Sequence, residues 1–259
     1  AAASEASGDG GTDESQPASD GGTVSIGFEG DIASLDPSQG YDYISWPAER
    51  LIFETLVTYG DSTELVPQLA TEMPTVSEDG TTYTFTLHEG VSFVMPDGTV
   101  HREMTADDVV FSLNRLLSPN LTPAPSPVAG AFYTLIEGGQ AVVDGEADEA
   151  TGLVAVDDHT VEITITNPDL TFLNILAMPF ASAAPVEYLN YVPDSNAFRQ
   201  HTISDGPYQI TSYQAGKEIE ISTTATGKKA DPRSFCIQKT LQDIAHGGPV
   251  DNNLMFAGH

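Results

Sequence analysis

The chain is poor in basic residues and nearly empty of cysteine. Its 259 residues hold one cysteine, Cys236, so no internal disulfide can form, and zinc fingers and CxxC redox motifs have no material. Nine Lys and Arg stand against 38 Asp and Glu, a formal charge of −29. A field of that sign repels nucleic acid and anionic lipid and makes both poor partners. It suits an exported or salt-exposed protein that must stay in solution. No apolar run reaches about 18 residues, so no membrane span is expected. The sequence shows no basic, hydrophobic leader and opens on Ala rather than Met, which leads to the expectation of a processed or incomplete N-terminus.

Catalytic signatures are missing as well. There is no nucleophile elbow, phosphate loop, dinucleotide fingerprint or H-E-x-x-H helix. The six histidines (His88, His101, His159, His201, His246, His259) are scattered singly, without ligand spacing on one element. Asp31, Asp36 and Asp42 share one loop but lack calcium-loop spacing, and turn-forming Asp is the better reading. No enzyme, cofactor or metal is expected.

The basic residues are unevenly placed. Arg50, Arg102, Arg115 and Arg199 are the only ones in residues 1–216, whereas the last 43 residues hold Lys217, Lys228, Lys229, Arg233 and Lys239. Five acids balance those five, so the first 216 residues carry the whole negative charge.

What is present begins with a small, polar, acidic stretch, residues 1–22, which cannot bury enough surface to fold and is expected to be a disordered tether. V-S-I-G-F (24–28) reads as a short strand. A helix is expected from about Ala48 to Val57, with Leu51, Ile52, Thr55 and Leu56 inward. T-T-Y-T-F-T-L-H (81–88) alternates cleanly, placing Tyr83, Phe85 and Leu87 on one buried face of a strand. T-A-D-D-V-V-F-S-L-N-R-L-L (105–117) then reads as a helix. Thr105 and Asp108 form a capping box, and Asp107 and Asp108 sit at the positive end of the dipole. Val109, Val110, Leu113, Leu116 and Leu117 fall on one face, and Pro119 closes the helix. The acidic pair needs no metal or acid–base role to explain it.

Residues 118–130 carry four prolines and read as an extended loop. Residues 131–146 read as one helix with a glycine-marked break. V-A-V-D-D-H-T-V-E-I-T-I (154–165) is a hairpin in which Val154 and Val156 alternate, then Val161, Ile163 and Ile165. N-P-D-L-T-F-L-N-I-L-A-M-P (167–179) reads as a helix ended by Pro179. S-D-G-P-Y-Q-I-T-S-Y turns into a strand that K-E-I-E-I-S joins. Strands and helices mix irregularly, which favours a mixed α/β (α+β) fold over a repeating βαβ array.

The order of these pieces resembles the extracellular solute-binding proteins of ABC importers, family 5, the oligopeptide, dipeptide and nickel-binding class. The matching text is S-L-D-P (34–37), F-E-T-L-V-T-Y (53–59), residues 79–93, D-G-T (97–99), T-A-D-D-V-V-F-S-L-N-R (105–115), residues 156–165 and D-G-P-Y (205–208). It covers about residues 23–222. The resemblance implies a type II periplasmic-binding-protein fold that closes over a solute and presents it to a membrane permease without chemistry. The implied solute is a small peptide, held in part as an added strand. Residues 23–54 and 180–225 would form the first lobe, and 55–179 a supporting α+β subdomain. The T-A-D-D helix would then lie away from the cleft. A monomer is implied, extracytoplasmic (periplasmic or cell-surface) and lipid-anchored through a residue upstream of this chain.

In such a fold the loop after S-L-D-P touches the cleft: here Tyr41, Asp42, Tyr43, Ile44, Ser45 and Trp46. Two tyrosines and the sole tryptophan in one loop are costly to leave in water. They either meet a ligand or pack on the following helix, and Asp42 either pairs with a ligand amine or caps the helix beginning near Pro47.

The resemblance breaks after I-E-I-S, where the family usually shows N-x-x-Y-W and this chain reads T-T-A-T-G-K-K-A-D-P-R-S-F-C-I-Q-K-T. Family members continue into a second ligand-binding lobe. Residues 226–259 are therefore expected to be an atypical tail, from either a truncated or frameshifted gene or a divergent continuation. The expected function is solute capture, weak in this polypeptide. The alternative is a tethered cell-surface interaction protein that kept the fold without transport.

Overall fold

The computed structural model describes residues 32–60, 62–192, 194–214 and 218–223. The strand over 24–28, the tether, the tail from 226 and Asp31 lie outside these residues.

Helix α1 (Ser45–Ile52) leads into strands β1 (Val57–Tyr59) and β2 (Leu65–Pro67), which pair with each other. The chain then lays down β3 (Thr75–Val76), β4 (Thr82–Thr86), β5 (Ser92–Val94), β6 (Val100–Glu103) and helix α2 (Ala106–Leu117). A π-type turn at Ala129–Tyr133 precedes α3 (Gly139–Val143), the hairpin β7 (Leu153–Asp157) and β8 (Thr160–Thr164), and α4 (Phe172–Leu176). After 3-10 turns at Pro179–Ala181 and Val186–Asn190 come α5 (Asn196–Gln200), β9 (Tyr208–Gln214) and β10 (Glu218–Thr223). Every strand pairing among the described residues is antiparallel, and the widest sheet runs β3-β4-β8-β7. This is the mixed α/β character expected.

Strand β4 shows why the sheet forms. Tyr83 and Phe85 are buried, as is Leu87 just beyond, and they pair with Ile163 and Val161 of β8 on the same inner face. Helix α2 covers that sheet with Val109, Leu113, Leu116 and Leu117. Its capping box is complete: the Thr105 N–H donates to Asp108 Oδ2 at 3.0 Å, and the Thr105 side chain accepts from the Asp108 N–H. Two orphan donors of the first turn are thereby satisfied, at a typical gain of about 1 kcal/mol.

Three expectations are corrected, and one strand orientation that the sequence left open is set. The first helix spans Ser45–Ile52 rather than 48–57, because Asp42 sets its start and Phe53 is already extended, with φ −126° and ψ 154°. Residues 131–146 are not one helix. Ile136 bridges Ile165, the Glu137 N–H donates to the Thr164 carbonyl at 2.9 Å, and Gly138 turns the chain at φ +80°. Helix α4 is only five residues long, since Asp169 accepts from the Thr171 N–H at 2.7 Å and holds the preceding segment as a turn. On β7 the exposed residues are Val154 and Val156, while Leu153 and Ala155 face inward opposite Ile163 and Val161. Directly opposed residues of an antiparallel pair share a face, so the β8 partners decide the orientation.

One continuous apolar core joins these elements. It runs from Leu35, Ile52 and Phe53 through Phe85, Phe93 and Leu116 to Tyr133, Phe172, Tyr188 and Phe198.

A candidate ligand-contacting loop held by buried ion pairs

The segment 32–46 is anchored from below before it offers anything to solvent. Arg199 donates to the carbonyls of Ile32 and Ala33 at 3.0 and 2.6 Å, and its guanidinium lies 4.9 Å over the Tyr213 ring. Asp194 accepts from Ser34 Oγ at 2.6 Å and from the Leu35 N–H at 2.9 Å. Asp36, fully buried, takes the Arg115 guanidinium through both carboxylate oxygens and also accepts from the Ser38 N–H at 3.0 Å. The S-L-D-P text is thus a structural clasp between this loop and α2.

The six residues of the loop divide by role. Asp42 Oδ1 accepts from the N–H groups of Ile44 and Ser45 at 2.9 and 2.8 Å, and Oδ2 accepts from Ser45 Oγ at 2.6 Å. Its carboxylate is committed to starting α1, where negative charge also favours the helix dipole. Ile44 and Ser45 are buried, and Ser45 Oγ accepts from the Ser34 N–H at 3.1 Å. Trp46 is half-buried, with its indole N–H donating to the Gly40 carbonyl at 2.7 Å. Tyr41 and Tyr43 remain 60% and 81% exposed.

One residue that the sequence reading passed over holds the aromatic part together. Phe180, fully buried in the turn after α4, meets Trp46 edge-on at 5.7 Å and Tyr41 at 5.8 Å. Each such pair adds about 0.5–1.5 kcal/mol beyond area burial. Its only signal in sequence is an aromatic directly after the helix-ending proline of A-M-P-F.

D-G-P-Y is a packing device too. The Gly206 N–H donates to the Ile52 carbonyl at 3.0 Å, and a Cβ on Gly206 would lie 2.7 Å from the Ile52 carbonyl carbon. Asp205 accepts from the Glu54 N–H at 3.3 Å, so residues 205–206 fix the end of α1.

Arginine is spent on structure throughout. The basic side chains among the described residues that carry Lys or Arg are Arg50, Arg102, Arg115 and Arg199. Arg102 grips Asp108 at 2.6–2.7 Å and Glu187 at 3.0 Å, and those bonds pull the Glu187 carboxyl down to about 2. Arg50 donates to the Ala177 carbonyl at 2.9 Å, and burial lowers its own proton affinity. The recess beside Arg50, between Phe53, Gln68 and Ser182, has room for about one water and takes no peptide. Among the described residues no group of three His, Cys, Asp or Glu is placed to hold a metal ion, and no helix is long and apolar enough to cross a membrane.

Comparison with known proteins gives the same direction as the geometry. The sequence profile of the bacterial extracellular solute-binding proteins, family 5 Middle, matches residues 64–238. The dipeptide-binding protein of Escherichia coli K12 is 35% identical over 183 residues, covering 69% of this chain and 32% of that protein. The solved structure of the Escherichia coli murein tripeptide binding protein MppA aligns over 76% of this chain and 37% of its own, at TM-score 0.64 and 28% identity. The substrate-binding domain of an oligopeptide ABC transporter from Bacillus anthracis aligns over 76% and 36%, at TM-score 0.67 and 26% identity. The chain therefore spans about a third of the length of these relatives, in a type II periplasmic-binding-protein fold. The chain belongs to the bacterial extracellular solute-binding proteins, family 5.

Proposed function

We propose that this chain supplies one wall of a peptide-binding cleft for ABC-type import, outside the cytoplasm, with no catalytic step. The observation that carries the proposal is the division within the loop. Asp42, Ile44 and Ser45 are consumed in holding it, while Tyr41 and Tyr43 stand in solvent beside Trp46 on a rigid base. Exposed aromatics on a preorganised loop gain most by covering a ligand. The relatives' names, dipeptide-binding and murein tripeptide binding, support a short peptide as the solute.

Contacts between its two segments support the proposed first lobe. Residues 32–54 meet 183–206 through Ala183 N–H to Glu54 carbonyl and Gly206 N–H to Ile52 carbonyl, in keeping with a first lobe built from 23–54 and 180–225. Residues 55–179 serve as its support. One wall by itself supplies neither the opposing contacts nor the water exclusion of a closed cleft, so these residues alone bind weakly. The permease is the downstream partner, and a lipid anchor upstream of residue 1 would keep the protein at the membrane.

Isothermal titration with a mixture of di- and tripeptides tests this. Binding in the high micromolar to millimolar range that Tyr43→Ala weakens at least threefold agrees with the proposal. Heats that are unchanged in Tyr41→Ala and Tyr43→Ala would remove the loop from the site.

A further inference from the structure

Glu49 is fully buried in α1, and neither of its carboxyl oxygens has a hydrogen-bond partner in the described structure. It lies directly under the loop. A Cβ added to Gly40 would come 1.9 Å from Glu49 Oε1, so any side chain at this position must displace the Glu49 carboxyl. The Gly40 carbonyl in turn accepts the Trp46 indole N–H, and Tyr41 follows next in sequence. Glu49, the Gly40 backbone and the Trp46 ring therefore form one contact chain beneath the exposed tyrosines.

The charged groups facing Glu49 come from three elements. Asp36 and Asp42 lie in the loop above, Asp194 precedes α5, and Arg50 is its neighbour on α1. Each is engaged elsewhere: Asp36 with Arg115, Asp42 with the start of α1, Asp194 with Ser34 and Leu35, Arg50 with the Ala177 carbonyl. Burial first, then repulsion from the three aspartates, holds the Glu49 carboxyl well above the usual carboxylate range against the weaker pull of Arg50. A cation does not resolve the position, since no ion-holding set of side chains surrounds it among the described residues.

We propose that Glu49 is a positioning residue for the 36–46 loop, neutral while Gly40 packs on α1, and that its deprotonation releases the loop and the Trp46 ring. A buried carboxylate without hydrogen bonds, repelled by three acids and offset only by the weaker pull of Arg50, is relieved at least cost by lifting Gly40 and admitting water. The sign follows from the raised proton affinity. As pH climbs above the ordinary carboxylate range, the released form sheds the proton and the packed form keeps it, so packing weakens with rising pH. The consequence for ligand capture rests on the functional proposal above, because it assumes that Tyr41 and Tyr43 meet the solute.

Trp46 is the only tryptophan, so its emission reads the loop directly. The full chain is titrated without ligand from pH 5 to pH 9, with circular dichroism confirming that the fold persists. The expected result is a reversible red shift whose midpoint lies above the ordinary carboxylate range, absent in Glu49→Gln and retained in Glu49→Asp. If Glu49→Gln does not fold, Gly40→Ala replaces it and shows the released emission already at pH 5. Flat wild-type emission across the range, or the same titration in Glu49→Gln, overturns the proposal. Trialanine titrations at pH 5 and pH 9 separate it from the functional reading. A titrating Trp46 with no peptide binding at either pH removes the solute and leaves the switch intact.

Discussion

The Arg115 guanidinium and the Asp36 carboxylate close a two-pronged ion pair, Nη1 to Oδ1 at 2.7 Å and Nη2 against Oδ2, with both side chains shut from solvent. It ties α2 to the S-L-D-P segment across 79 residues of sequence. Removing one partner leaves a buried, uncompensated charge, so Arg115→Met and Asp36→Asn each lose about 3–5 kcal/mol of stability. Urea denaturation measures this, and the double variant costs less than the sum of the two.

Glu187 gives the protein an acid limit. Hydrogen bonds from Arg102 and then His101 lower its carboxyl from an ordinary 4.5 to about 2. A depressed carboxylate contributes stability above its unfolded pKa and loses it as pH falls through the folded one, so this contribution fades between pH 4.5 and pH 2. Glu187→Gln flattens that limb of the stability profile by about 1–3 kcal/mol, allowing for the quarter of the side chain still in water. Melting temperature against pH for the two proteins shows the difference.

Gly206 has no room for a side chain. Its substituent would strike the Ile52 backbone, which cannot rotate away. Gly206→Ala therefore costs about 1–3 kcal/mol by overpacking, read as a lowered urea midpoint with an unchanged slope.

Phe180 supports both loop aromatics, so Phe180→Ala costs about 3–5 kcal/mol and shifts Trp46 emission to the red. Leu170→Ala, at a fully exposed position, stays within about 0.5 kcal/mol of wild type.

Local chemistry explains which parts were legible in sequence. Helix α2 and strand β4 carry their own caps and periodicity within a dozen residues, and both stand where the pattern placed them. Val154 and Val156 look like core residues because they are β-branched, but only the pairing with β8 decides which face of β7 turns inward. For Asp42 the sequence left open a ligand amine or the helix start, and its side-chain hydrogen bonds to Ile44 and Ser45 spend it on the start of α1, two residues ahead of Pro47. Phe180 left only an aromatic after a helix-ending proline, and Glu49 left no local trace. Their roles come from contacts more than 130 residues apart for one and from a single glycine approach for the other.

The most direct test of the account is a two-dimensional amide NMR titration of the 15N-labelled chain with trialanine up to millimolar concentration. The account predicts fast-exchange shifts centred on residues 41–46 and the Trp46 indole N–H, reduced in Tyr43→Ala. Shifts centred on another surface, or none at the highest concentration, would contradict it.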